Sequence, residues 1–266
     1  MMLRLLYIIF SLISLNAVAA EEQQQWEFGI GPGWASIPHY RGSDQAESYT
    51  IPFPYVRYYG KRLRIDREGG RYYFIEKESV KLDVSVAFAP PVDSDDNLAR
   101  AGMPGLDAIF EIGPRLEFDL YQSSSRDVRI RAAFPLRAAI ASDFKDTQGI
   151  GYVFSPYLQL RYYGGAESSI SIGPIWASED YHDYFYEVAP AYATAGRPEY
   201  DAQSGYSGSR ITLTSSYRWN NYWLGLFARY DNLNDAVFAD SPVMRQSDSL
   251  MLGVGFAWVF KSTLDN

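Results

Sequence analysis

The sequence predicts an all-β fold: a transmembrane, antiparallel, up-and-down β-barrel. Three observations carry that prediction. Long stretches alternate apolar and polar residues with period two. Their polar faces hold charges of both signs at mid-strand, as a wet barrel interior would. The connections alternate short and long, the plan of barrels whose turns face the periplasm and whose loops face outward.

The element order begins with an address. Arg4, the apolar run Leu5–Leu15 and the small residues Ala17-Val18-Ala19-Ala20 follow the three-part plan of a secretory signal peptide, so residues 1–20 read as a leader and 21–266 as the exported domain. That apolar run is too short to span a bilayer comfortably, and no later segment approaches the ~20 continuous apolar residues of a membrane helix. An exported chain that spans lipid without helices must close into a barrel, because every backbone group needs a partner there.

From Val80 to Phe88, Val80, Leu82, Val84, Val86 and Phe88 oppose Lys81, Asp83 and Ser85. Phe110, Ile112, Pro114, Leu116, Phe118 and Leu120 then oppose Glu111, Arg115, Glu117 and Asp119. Ile130, Ala132, Phe134, Leu136, Ala138 and Ile140 oppose Arg129, Arg131 and Arg137, and Tyr152 to Tyr162 set Ser155, Gln159 and Arg161 apart in the same way. Ile211, Leu213, Tyr217 and Trp219 oppose Arg210 and Arg218, and Arg229 follows on the same inward set. The last strand aligns Leu250, Leu252, Val254, Phe256, Trp258 and Phe260 against Gly253, Gly255 and Ala257. Aromatics near strand ends (Tyr58-Tyr59, Tyr162-Tyr163, Trp176, Trp219, Tyr222) suit interfacial girdles.

Short turns fall at Gly60-Lys61, Ser123–Ser125, Gly164-Gly165 and Asn220-Asn221, and long loops at 37–47, 90–105, 142–149, 179–206 and 234–246. Parity leaves Arg62–Ile75 to supply two short strands around Glu68-Gly69-Gly70, or none. Two gives twelve strands and none gives ten; twelve uses the length more economically and is preferred.

Composition excludes several function classes. With 266 residues, no cysteine and two histidines, the chain has no thiol chemistry, no disulfides and no His-rich metal site. A net charge of -8 argues against a nucleic-acid partner. His39 lies beside Ser43 and Asp44, the residue types of a hydrolase, but a loop tip lacks the geometry a triad needs. His182, among Glu179, Asp180 and Asp183, reads as a solvated loop histidine. Asp93, Asp95 and Asp96 imitate only part of a calcium loop. No catalytic, cofactor-binding or metal residue is assigned.

The charges on the polar faces admit two readings. Lys81, Asp83, Glu111, Arg115, Glu117, Asp119, Arg129, Arg131, Arg137, Arg161, Arg210, Arg218 and Arg229 could line a narrow channel for anionic solutes. They could instead pair and fill the barrel, and a width of twelve strands favours filling.

Ordered along the chain, PHYRGSD (38–44), PFPYVRYYGKRLRID (52–66), GMPGLDAIFEIGP (102–114), DYFYEV (183–188), YDAQSG (200–205) and DNLNDAVFADSPVM (231–244) resemble the MipA/OmpV family of outer-membrane proteins. The resemblance covers essentially all of 21–266. It implies an outer-membrane location amid outer-membrane lipid and no shared active site. For some members it implies a scaffold joining a lytic murein transglycosylase to a penicillin-binding protein; others look like adhesion or stress-responsive surface proteins. Phe256, Trp258 and Phe260 resemble the terminal signal read by the barrel-insertion machinery, although six residues follow Phe260 where the family tends to stop.

Overall fold

The computed structural model describes residues 25–66 and 69–263; the expected leader lies outside them. Among the described residues thirteen strands form one antiparallel sheet closed on itself. They are β1 (Gln25–Pro38), β2 (Ala46–Tyr59), β3 (Leu63–Asp66), β4 (Gly69–Glu76), β5 (Val80–Ala89), β6 (Ala108–Gln122), β7 (Val128–Ser142), β8 (Thr147–Phe154), β9 (Tyr157–Tyr163), β10 (Ala166–Ala177), β11 (Gly205–Trp219), β12 (Tyr222–Asn232) and β13 (Asp248–Ser262). Strands β8 and β9 are two halves of a single stave. Both pair with β7 on one side and β10 on the other. The break falls at Ser155-Pro156, where proline has no N–H to give either neighbour. The barrel therefore has twelve staves, and the short pair expected in 62–75 is β3–β4.

The alternation is physical as well as statistical. Phe88, Leu120, Leu158, Ile172, Leu226 and Phe260 are exposed on the outer face, whereas Asp83, Glu117, Arg131 and Asp231 are buried. Only a lipid exterior makes that distribution favourable over so many contiguous strands. No described helix is long and apolar enough to cross a membrane. The protein resides in the outer membrane.

The first and last strands close the cylinder, with Ile30 opposite Trp258 and Trp34 opposite Val254. Beyond Phe260 the pairing continues: Phe28 faces Lys261, and Trp26 exchanges bonds with Thr263, accepting at its carbonyl (3.0 Å) and donating to Oγ1 (2.9 Å).

One section of wall is low. Among the described residues, strand β3 meets β2 only at Tyr58 and Tyr59, and β4 meets β5 only through Tyr73, Ile75 and Glu76. Among the described residues, Ala46–Pro54 of β2 and Val84–Ala89 of β5 have no strand partner on their facing sides.

Candidate functional site: the filled lumen and its cap

The inward residues of β4–β9 build a ladder of charges rather than a lined pore. Near the periplasmic end Lys81 Nζ donates to Asp119 (2.9 Å). Above it, Arg115 donates to both oxygens of Asp83 (3.0 and 2.7 Å) and lies 3.4 Å from Glu117, which also meets Arg131 at 3.4 Å. Arg131 continues to Gln159 Oε1 (2.8 Å). Higher still, Arg137 donates to Glu111 (2.7 Å), Ser85 and Ser155. Arg71, which sequence reading left unassigned, joins this wall through Asp66.

The remaining arginines of the set sit elsewhere. Arg129 and Arg161 lie over the Tyr163 ring, Arg210 pairs with Asp231, Arg218 reaches Glu27 (3.4 Å), and Arg229 covers Phe227. Glu27 is a second hub, accepting from Tyr55 (2.7 Å) and facing Arg57 at 3.5 Å. Carrying the alternation into β1 would have found Glu27, because it shares parity with Gly29, Gly31 and Gly33. Buried pairs of this kind fix geometry more than they add stability, and each becomes costly once a partner is lost.

The opposite wall is aromatic. Phe53 of β2 stacks on Trp223 of β12 (centroids 5.4 Å apart, planes 8° apart), and Tyr55 meets the same indole at 5.1 Å. Glycines on the intervening β1 and on β12 itself let these rings lie flat. A Cβ at Gly33 would come within 3.2 Å of Phe53, and one at Gly225 within 2.1 Å of Trp223. Gly225→Val should push the indole off Phe53 at a cost of about 1–3 kcal/mol. Loss of the near-ultraviolet tryptophan signal together with a lower unfolding temperature in detergent would show it, and unchanged spectra would refute it.

The long loops fold into a cap over the outer mouth, around helix α1 (Glu179–Tyr186). Its core joins Tyr40, Leu106, Tyr186, Val188, Leu233 and Phe238 from four separate loops, and Tyr186 stacks on Phe238 at 3.7 Å. Of the six segments that carry the family resemblance, 38–44, 183–188, 200–205 and 231–244 and the first part of 102–114 converge here, while 52–66 lies in the barrel wall. Arg41 is the main fastener. Its Nε donates to Asp231 (2.8 Å) and its Nη1 to Ser207 Oγ (3.0 Å), while its carbonyl accepts from Tyr186 (2.9 Å). Arg100 donates to the Phe185 carbonyl (2.6 Å), and Arg197 to the carbonyls of Ala99, Ala101 and Tyr192. Tyr181 reaches down to Glu111 (3.0 Å), so cap and ladder form one bonded column.

Two loop readings need correction. His182 is fully buried, not solvated: the Gln203 carbonyl lies 2.5 Å from Nδ1 and Ser207 Oγ 3.0 Å from Nε2. The 38–44 segment is not a free tip either. Asn97 bonds both His39 Nδ1 (3.1 Å) and Ser43 Oγ (3.0 Å), which occupies the groups a hydrolase would need. The aspartates near 95 cap a short 3-10 turn, Asp93 accepting from the Asp95 N–H (3.0 Å). Among the described residues no His, Asp and Glu side chains converge as metal ligands.

The cap carries two titrating groups of opposite sign. Burial holds His182 below its ordinary value. The unfolded cap therefore binds that proton first, and this contribution is full above about pH 6.5 and declines as pH falls below it. Burial raises Asp183 to about 6, with Glu187, Asp201 and Glu179 adding to the rise and the Ala202 N–H opposing it. Its ionised form is thus a cost to the cap, relieved as pH falls from about 6 towards 3.8. With Asp183→Asn, acidification from pH 7 to 5 should only loosen the cap; with His182→Gln it should tighten it. Loop proteolysis across that range reads both, and identical profiles would contradict the assignment.

A family model described as "MltA-interacting protein MipA" matches residues 30–260. The chain belongs to the MipA family. Curated MltA-interacting proteins from Escherichia coli K12 and Shigella flexneri are each 26% identical over 260 residues, covering 94% of this chain and 96% of theirs. Solved structures similar to this MipA-family barrel include the outer-membrane protein OprG of Pseudomonas aeruginosa (TM-score 0.27, 10% identity, covering 89% and 95% of the two chains). The outer-membrane channel DcaP of Acinetobacter baumannii is another (TM-score 0.35, 8% identity, 92% and 100%).

Proposed function

We propose that this barrel is a non-enzymatic docking platform for cell-wall machinery, with a lytic murein transglycosylase as its partner and a penicillin-binding protein as the second component it brings alongside. The observation that carries the reading is the filled interior. Paired charges occupy the lumen and a bonded cap covers the mouth, so the solvent-facing surface offered to the periplasm is the rim of short turns. The relatives' name, MltA-interacting protein, supports the identity of the first partner.

Pull-down of the intact barrel from detergent-solubilised membranes should recover a murein hydrolase, and repeated failure with correctly folded barrel would overturn the reading. The channel alternative makes a separate prediction. The unmodified barrel should give no discrete open level in planar bilayers, because Arg115, Arg131 and Arg137 are held by carboxylates instead of facing a water column. Stable anion-selective steps would favour conduction instead.

A further inference from the structure

The low section of wall is a framed opening. Its sides are the free edges of β2 (Ala46–Pro54) and β5 (Val84–Ala89), and its sill is the β3–β4 hairpin. At the hairpin, β2 and β5 stand three interstrand spacings apart, about 14 Å. The top is closed by the loops on either side: Gln45 Oε1 accepts from the Leu98 N–H (2.7 Å), Gln45 Nε2 donates to the Asp96 carbonyl (3.1 Å), and Asn97 donates to Ser43. The opening therefore faces sideways, above a periplasmic sill, at the depth of the outer leaflet.

Two features show what it fits. Ile51 shares inward parity with Phe53 and Tyr55, yet is 53% exposed, while Tyr55 is buried. Phe53 and Trp223, stacked just behind it, are only half-buried, so an apolar surface begins at the opening and continues inside. A partner strand suits the edge poorly. Pro52 and Pro54 have no N–H to offer, and prolines on an exposed edge block strand addition. The charge ladder bars a path through to the periplasm, so an occupant would seat here without crossing.

We propose that an acyl chain of the outer-leaflet lipid enters between β2 and β5 and lies against Ile51, Phe53 and Trp223. This inference is independent of the docking reading.

The full barrel in proteoliposomes containing a phospholipid with a diazirine on its acyl chain provides the test. Irradiation and peptide mapping should place adducts on inward Ile51, Phe53 or Trp223 as well as on outward Val86 and Phe88. Ile51→Trp, which fills the opening at an exposed position, should lose the inward adducts and keep the outward ones, which also report an intact fold. Adducts confined to outward residues would overturn the proposal. Inward labelling by a free diazirine fatty acid but never by the phospholipid would overturn the lipid as source, and covalent dimers in place of inward lipid adducts would assign the opening to a second copy of the chain.

Discussion

Arg41→Ala should release the cap from an intact barrel. The substitution removes an ion pair to a buried aspartate and two contacts to Ser207. Breaking a buried pair costs several kcal/mol, and with Arg210 still neutralising Asp231 about 3 kcal/mol is expected. That corresponds to a rise on the order of a hundredfold in the open fraction of the cap. Protease added to whole cells should then cut within 178–204 while the barrel keeps its compact gel mobility. Arg41→Lys should fall between, since an ammonium cannot reproduce the spread of the guanidinium donors. An unchanged cleavage pattern in Arg41→Ala would show that the apolar core alone holds the loops.

Asp83→Ala should be the most damaging single change in the barrel wall. Asp83 is wholly buried and takes two bonds from Arg115, which keeps only long contacts after the change, 3.4 Å to Glu117 and 3.4 Å to the Tyr157 hydroxyl. A loss of roughly 3–5 kcal/mol is expected, because a desolvated cation loses its closest, two-bonded partner. Removing both members, as Asp83→Ala with Arg115→Ala, should recover part of that loss. Unfolding midpoints in detergent measure each variant, and a double variant no better than Asp83→Ala would exclude the pair as the cause.

How much of this was legible beforehand follows from the range of each interaction. Strand faces follow a local rule, so the alternation from Val80 to Phe260 assigns sides without knowledge of neighbours. Parity of turns and loops leaves two strands or none before Val80, and economy of length prefers the pair that the fold contains as β3–β4. The cap obeys no such rule. Arg41 meets a residue 190 positions away, and His182 is buried by Ser207 of β11 and Phe238 of another loop, so polar loop composition reads as solvent exposure until the loops are assembled. The aromatic wall was missed for a related reason: Phe53 and Trp223 lie far apart in sequence, and the glycines that let them touch register in the pattern only as small residues. The motifs PHYRGSD and DYFYEV were visible as strings, but what they share is a place, which only the folded loops reveal.

The pairing of Gln25–Pro38 with Asp248–Ser262 also bears on how the molecule is made. Two segments more than two hundred residues apart in the chain must meet before the cylinder can exist. Such distant pairings are slow, since chain entropy is lost before contacts repay it. Without Asp248–Ser262 the sheet would retain two raw margins, on β1 and β12, with nothing to join them. Docking of Asp248–Ser262 is therefore the step that seals the cylinder.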